Sequence, residues 1–129
     1  MRTLRVGIAS YEQMKARTVA IARGEYRPAA DEPKVWFTSA ESFARVLSDR
    51  NRALLGIIAE SAPESLARLA ELSGRKKSNL SRTLKTMERY GFVHLSRGAR
   101  GSVTPRVPYR RISLTLPLST PRRVGTEAA

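Results

Sequence analysis

The stretch "GRKKSNLSRTLKTMERYGFV", residues 74–93, carries six basic side chains and one acidic, Glu88. Leu80, Leu84 and Met87 recur at the three- and four-residue spacing of one helix face. Lys77, Ser78, Ser81, Arg82 and Lys85 fall on the other face, with Asn79 near the helix start. These residue types have a common chemistry: Lys and Arg meet phosphate oxygens, Arg can bridge guanine, Asn can bridge adenine, and Ser can hold a base edge or a phosphate. A solvated helix face usually interleaves acids with its bases so that they pair one turn apart. Here the only acid stands near the far end, so the pattern points to a helix that lies against a polyanion.

The rest of the chain supports that reading. Its 129 residues carry a net charge of +13, and between Ser73 and Arg111 there are eleven Lys or Arg against Glu88 alone. Arginine makes up 19 of the 24 basic residues, which codon composition could explain, but uniform codon bias would not concentrate the excess in under a third of the chain. A compact chain of this charge is expected to partner nucleic acid ahead of a membrane surface. Enzymatic chemistry is not expected. There is no cysteine and only one histidine, His94, and no Gly-rich phosphate loop, paired catalytic carboxylates or Ser/His/Asp set is evident. The same inventory gives no expected metal or cofactor. No run approaches the roughly 20 apolar residues of a membrane span, so a cytoplasmic protein without a membrane partner is expected.

The elements that must hold these residues can be read from periodicity. "TLRVGI" alternates as a strand over 3–8, "YEQMKARTVAIAR" reads as a helix over 11–23 stopped by Gly24, and "KVWF" reads as a second strand over 34–37. From Thr38 the period becomes helical, with a break near Ser48. Pro63 and Glu64 are expected in the first turn of the next helix, which carries Leu66, Leu69, Ala70 and Leu72 and ends at Gly74. A further helix over about 77–90 is capped by Gly91. "FVHLSR" (92–97) and "YRRISLTL" (109–116) then read as the two strands of one long hairpin, and 117–129 as a disordered tail. His94 is expected to be structural, opposite Val93 and Leu95.

In "SLARLAELSGRKKSNLSRTLKTMERYGFV" the small Ala70 allows two helices to approach closely and Gly74 opens the turn between them, which is helix-turn-helix spacing. Through "LAEL", "SNLSRTLKTMERYGFV" and the hairpin that follows, the sequence resembles the winged helix-turn-helix transcriptional regulators of the MarR-like type. In particular it is similar to small prokaryotic predicted regulators with the "GRKKSNLSRTLKTMERYG" core, some of them thought to act as DNA-binding antitoxins beside a toxin. The resemblance covers about residues 38–116. It implies an α+β fold with a three-helix core and a β-hairpin wing, a recognition helix at 77–90 and a wing at 92–116. Arg97, Arg100 and Arg106 of the wing would reach the DNA backbone or a minor groove, where arginine is favoured. One departure is visible. Related turns carry an apolar residue and then a Ser or Thr cap, whereas this chain has Arg75 and Lys76, which are expected to contact phosphate instead.

The expected organisation is an N-terminal appendage (1–37) for dimerisation or partner binding, a DNA-binding domain (38–116) and the tail (117–129). The expected function is a sequence-specific double-stranded DNA-binding regulator, a repressor acting by promoter occlusion. Two alternatives stand beside it. One is an antitoxin-type module that holds a toxin or other protein, and the other is an RNA-binding protein, disfavoured because few aromatics interleave with the basic residues. A homodimer is expected, built on Val6, Ile8, Val19, Ile21, Val35 and Trp36 of the appendage.

Overall fold

The computed structural model describes residues 2–118. They form an α+β chain: β1 (Thr3–Ile8), α1 (Tyr11–Ala22), β2 (Val35–Phe37), α2 (Ala40–Val46), α3 (Asp49–Ser61), α4 (Leu66–Ser73), α5 (Lys77–Arg89), β3 (His94–Arg97), a 3-10 turn at Ala99–Gly101, β4 (Val103–Arg106) and β5 (Arg111–Thr115). Of the expected tail, residues 119–129 lie outside the described residues. By packing the chain divides into two compact units. Among the described residues, one joins 2–4 to 44–112, and the other joins 5–43 to 113–118.

The first unit is built on α3, α4 and α5. The break expected near Ser48 is a helix start: the Ser48 hydroxyl accepts the Asn51 amide at the N-cap of α3. The start expected at Pro63 and Glu64 falls instead after Ser65, whose hydroxyl accepts the Arg68 amide and fixes the N-cap of α4. Ala62 turns the chain there in the left-handed region, with φ 44°, so Pro63 and Glu64 are spent in the connection. Gly74 ends α4 with φ 73°. At the end of α5, Gly91 has φ 82° and donates to the Glu88 carbonyl, while Phe92 donates to that of Met87. That paired arrangement closes the helix and turns Phe92 into the core. Leu54, Ile58, Leu69, Leu80, Leu84, Met87 and Phe92 are fully buried and make up that core.

The long hairpin expected between 92–97 and 109–116 does not form. β3 pairs antiparallel with β4 instead, with Leu95 opposite Pro105 and His94 opposite Arg106. "VTPR" looks like loop because it contains proline, which cannot donate to a ladder. In a two-stranded ribbon each strand has an unpaired edge, so proline is tolerated there, and the Pro105 ring is fully buried. β5 takes another partner, in a three-stranded sheet of order β2-β1-β5.

In the second unit β1 and β2 run parallel, with Val6, Gly7 and Ile8 opposite Val35, Trp36 and Phe37. The parallel pair needs a crossover, and α1 supplies it, started by a reciprocal cap between Ser10 and Gln13. Gly7 is required by close approach, because a Cβ there would press into the Trp36 ring. On Trp36 lies the Arg17 guanidinium, 5.3 Å from the ring centroid, and Arg17 also pairs with Glu32 at 2.9 Å. Gly7→Val should therefore cost about 1 to 3 kcal/mol of folding stability by overpacking, read as a lower thermal midpoint. An unchanged midpoint would mean that the indole is free to move aside.

Candidate nucleic-acid interface

At 100° per residue along α5, Ser78, Arg82, Lys85 and Arg89 fall in one outward stripe opposite Leu80, Leu84 and Met87, and all four are exposed. Lys77 and Ser81 flank the stripe on one side. On that side lies a cleft of about 630 Å³, lined by Lys77, Ser78, Ser81, Lys85, Arg97 and Gly101, over an apolar floor that includes Leu66 and Leu95. No acid lines it. The side chains of Lys76, Lys77, Arg82, Lys85 and Arg100 form no ion pair among the described residues. Five of the residues expected to bind therefore share one wall or rim, with cationic groups available to an incoming anion.

On the other flank of α5 stands Asn79, and here the structure departs from expectation. Arg75, expected to reach phosphate, turns its guanidinium inward. Its Nε and Nη2 donate to Asn79 Oδ1 at 2.9 and 2.7 Å, Nη1 to Asn51 Oδ1 at 3.0 Å, and Nη2 also to Thr83 Oγ1 at 3.1 Å. Asn51 is held in turn, its Nδ2 donating to the Val46 carbonyl at 2.9 Å. Partial burial, and after it the nearby charge of Arg50, lowers the Arg75 pKa. The clamp ties the turn before α5 to the start of α3. Lys76, at the N-cap of α5, makes no side-chain capping bond, as the missing Ser or Thr implies, and it remains exposed.

The three hairpin arginines also part company. Arg106 Nη1 donates to the Pro63 carbonyl at 2.9 Å, and Thr104 donates to that of Glu64 at 2.9 Å, so together they pin β4 to the connection before α4. Arg97 Nη2 donates to Glu88 Oε1 at 3.3 Å, fastening β3 to α5. All three are exposed, but only Arg100, in the 3-10 turn between the strands and in left-handed backbone with φ 59°, has a side chain that bonds to no other described residue. The hydrogen bond from Arg97 holds the Glu88 carboxyl below its ordinary value, against a smaller opposing effect of burial. A depressed folded pKa contributes stability above the ordinary value that is lost as pH falls through the depressed one. Glu88→Gln should accordingly flatten the acid limb of a stability–pH curve measured by chemical denaturation. An acid limb identical to that of the parent would show that the pair adds no stability.

Two contributors escape a reading of the sequence alone. Arg89 belongs to the outward stripe, but its place in the last turn makes it look like an ordinary cation at a helix end. Asn51 gives no signal at all, since its role depends on Arg75 lying 24 residues away. Among the described residues no group of three His, Cys, Asp or Glu could hold a metal ion, and no helix is long and apolar enough to cross a membrane. His94 is exposed on β3, opposite the buried Val93 and Leu95.

An α+β chain with a basic helix face set beside a short hairpin is thus the class to which the structure belongs. The family model HVO_A0114 matches residues 46–114, just over half of the chain, so the chain belongs to the HVO_A0114 family. No curated protein and no solved structure matches it.

Proposed function

We propose that α3, α4, α5 and the β3–β4 hairpin work as a winged helix-turn-helix and that the protein is a sequence-specific double-stranded DNA-binding regulator, a MarR-like repressor that occludes a promoter. The observation that carries this reading is the acid-free cleft in which Lys77, Ser78, Ser81 and Lys85 of α5 meet Arg97 of β3. In this reading α5 enters a major groove, which admits one helix. Arg82 faces base edges, Lys77 and Lys85 meet phosphates, and Arg100 at the hairpin tip follows the backbone. Selection from a randomised duplex pool tests it. One enriched motif is expected, and a retained pool that stays random would contradict sequence-specific reading.

The regulator is also proposed to be a homodimer, which would let it span two half-sites about one helical turn apart. The apolar residues expected to make the interface are partly used within the chain: Val6 is fully buried, and Ile8, Val35 and Trp36 are half-buried. Val19 and Ile21 remain exposed, joined by Leu114 on β5, an edge strand of the sheet, and by Leu116 just after it, 42% and 56% exposed. Sedimentation of the full chain should give a dimer that Leu114→Lys together with Leu116→Lys converts to monomer. A monomeric parent would overturn the proposal.

A further inference from the structure

We infer that Asn79 selects guanine over adenine at the base pair it meets, because Arg75 occupies its carbonyl oxygen and leaves only its amide hydrogens for the DNA. The inference rests on the proposal that α5 reads a major groove, and it names what one position of that helix reads.

The orientation of the Asn79 amide follows from its partner. A guanidinium carries donors only, so the atom that meets Arg75 Nε and Nη2 at 2.9 and 2.7 Å must be the oxygen. A carbonyl oxygen has two lone pairs, and two N–H groups fill them. The clamp is not easily released. The same guanidinium is held by Asn51 and Thr83, and Asn51 is fixed by the Val46 carbonyl. Turning the Asn79 amide over would set NH2 against a partly buried cation. Arg75 is therefore a positioning residue that fixes which edge of Asn79 points outward.

Asn79 itself is exposed, at the third position of α5, and the N-terminal residues of a recognition helix are the ones that reach base edges. Asparagine reads adenine with both ends of its amide, the oxygen accepting from N6 and the nitrogen donating to N7. With the oxygen filled, the N6 hydrogens of adenine meet no acceptor. Guanine presents N7 and O6, both acceptors, which an NH2 group can satisfy. The expectation drawn from residue type alone, that this asparagine bridges adenine, is thereby reversed.

The test is selection from a randomised duplex pool with the parent protein and with Asn79→Ala, shown to be folded by its thermal midpoint because it removes an acceptor of Arg75. At one base pair the parent should select guanine by about tenfold or more over adenine, and Asn79→Ala should lose that preference while keeping the rest of the motif. Arg75→Met, shown to be folded by its thermal midpoint, should shift the same pair towards adenine; if it does not fold, Arg75→Lys, which keeps the charge but loses the fork, takes its place. Adenine selected by the parent at the Asn79-dependent pair would overturn the inference and leave the regulator proposal standing. An equal loss on all duplexes for Asn79→Ala, the mark of a phosphate contact, would do the same. A parent that enriches no motif would overturn both.

Discussion

Leu84→Ala should lower folding stability by about 2 to 5 kcal/mol, the cost of a large-to-small change at a site that cannot collapse. Leu84 is 0% exposed and stands at the middle of the apolar face of α5, between Leu80 and Met87, which are equally buried. The alanine would leave a void under the helix that carries the basic stripe. Urea denaturation followed by circular dichroism measures the effect as a lower midpoint at unchanged slope. A midpoint equal to that of the parent would mean that the helix is rotated about its axis, which would also remove Arg82 and Lys85 from the outward face.

The second large effect concerns binding. Arg82 lies in the outward stripe without an ion pair among the described residues, so Arg82→Ala should cost about 1 to 3 kcal/mol on the selected duplex and relax its sequence preference. Arg100→Ala should behave differently. In the proposed reading Arg100 at the hairpin tip meets backbone, so its loss should weaken all duplexes alike and reduce the slope of log K against log salt by about 1. Fluorescence anisotropy on selected and random duplexes separates the two. Equal losses on both duplexes for Arg82→Ala would remove it from the base-reading set.

These outcomes rest on parts of the structure that differ in how openly the sequence displays them. α4 and α5 are legible because their periodicity is local and glycines at 74 and 91 mark their ends. β1, α1 and β2 are legible for the same reason. The pairing of the later strands is not, because alternation shows that 109–116 is strand-like but not which neighbour it takes, and Pro105 hides β4 altogether. The site shows the same division. The cations of α5 can be counted along one face, whereas the direction of an arginine depends on the acceptors that surround it. Arg75 turns inward because Asn51, Asn79 and Thr83 offer three oxygens to one guanidinium. Arg106 turns back because the Pro63 carbonyl lies within reach. Residue type indicated that both could bind phosphate, and only the tertiary arrangement shows where their donors go.

Titrating a fluorescent duplex with the parent and with Lys77→Ala/Lys85→Ala across a range of salt decides whether the basic face of α5 binds duplex DNA. Both lysines are exposed and form no ion pair among the described residues, so the variant should keep the helical signal and thermal midpoint of the parent. The parent should bind with log K falling linearly against log salt, and the variant should bind more weakly with a slope reduced by about 2, one for each phosphate contact removed. A variant that matches the parent in affinity and slope, or a parent that does not hold duplex DNA at physiological salt, would contradict binding by that face.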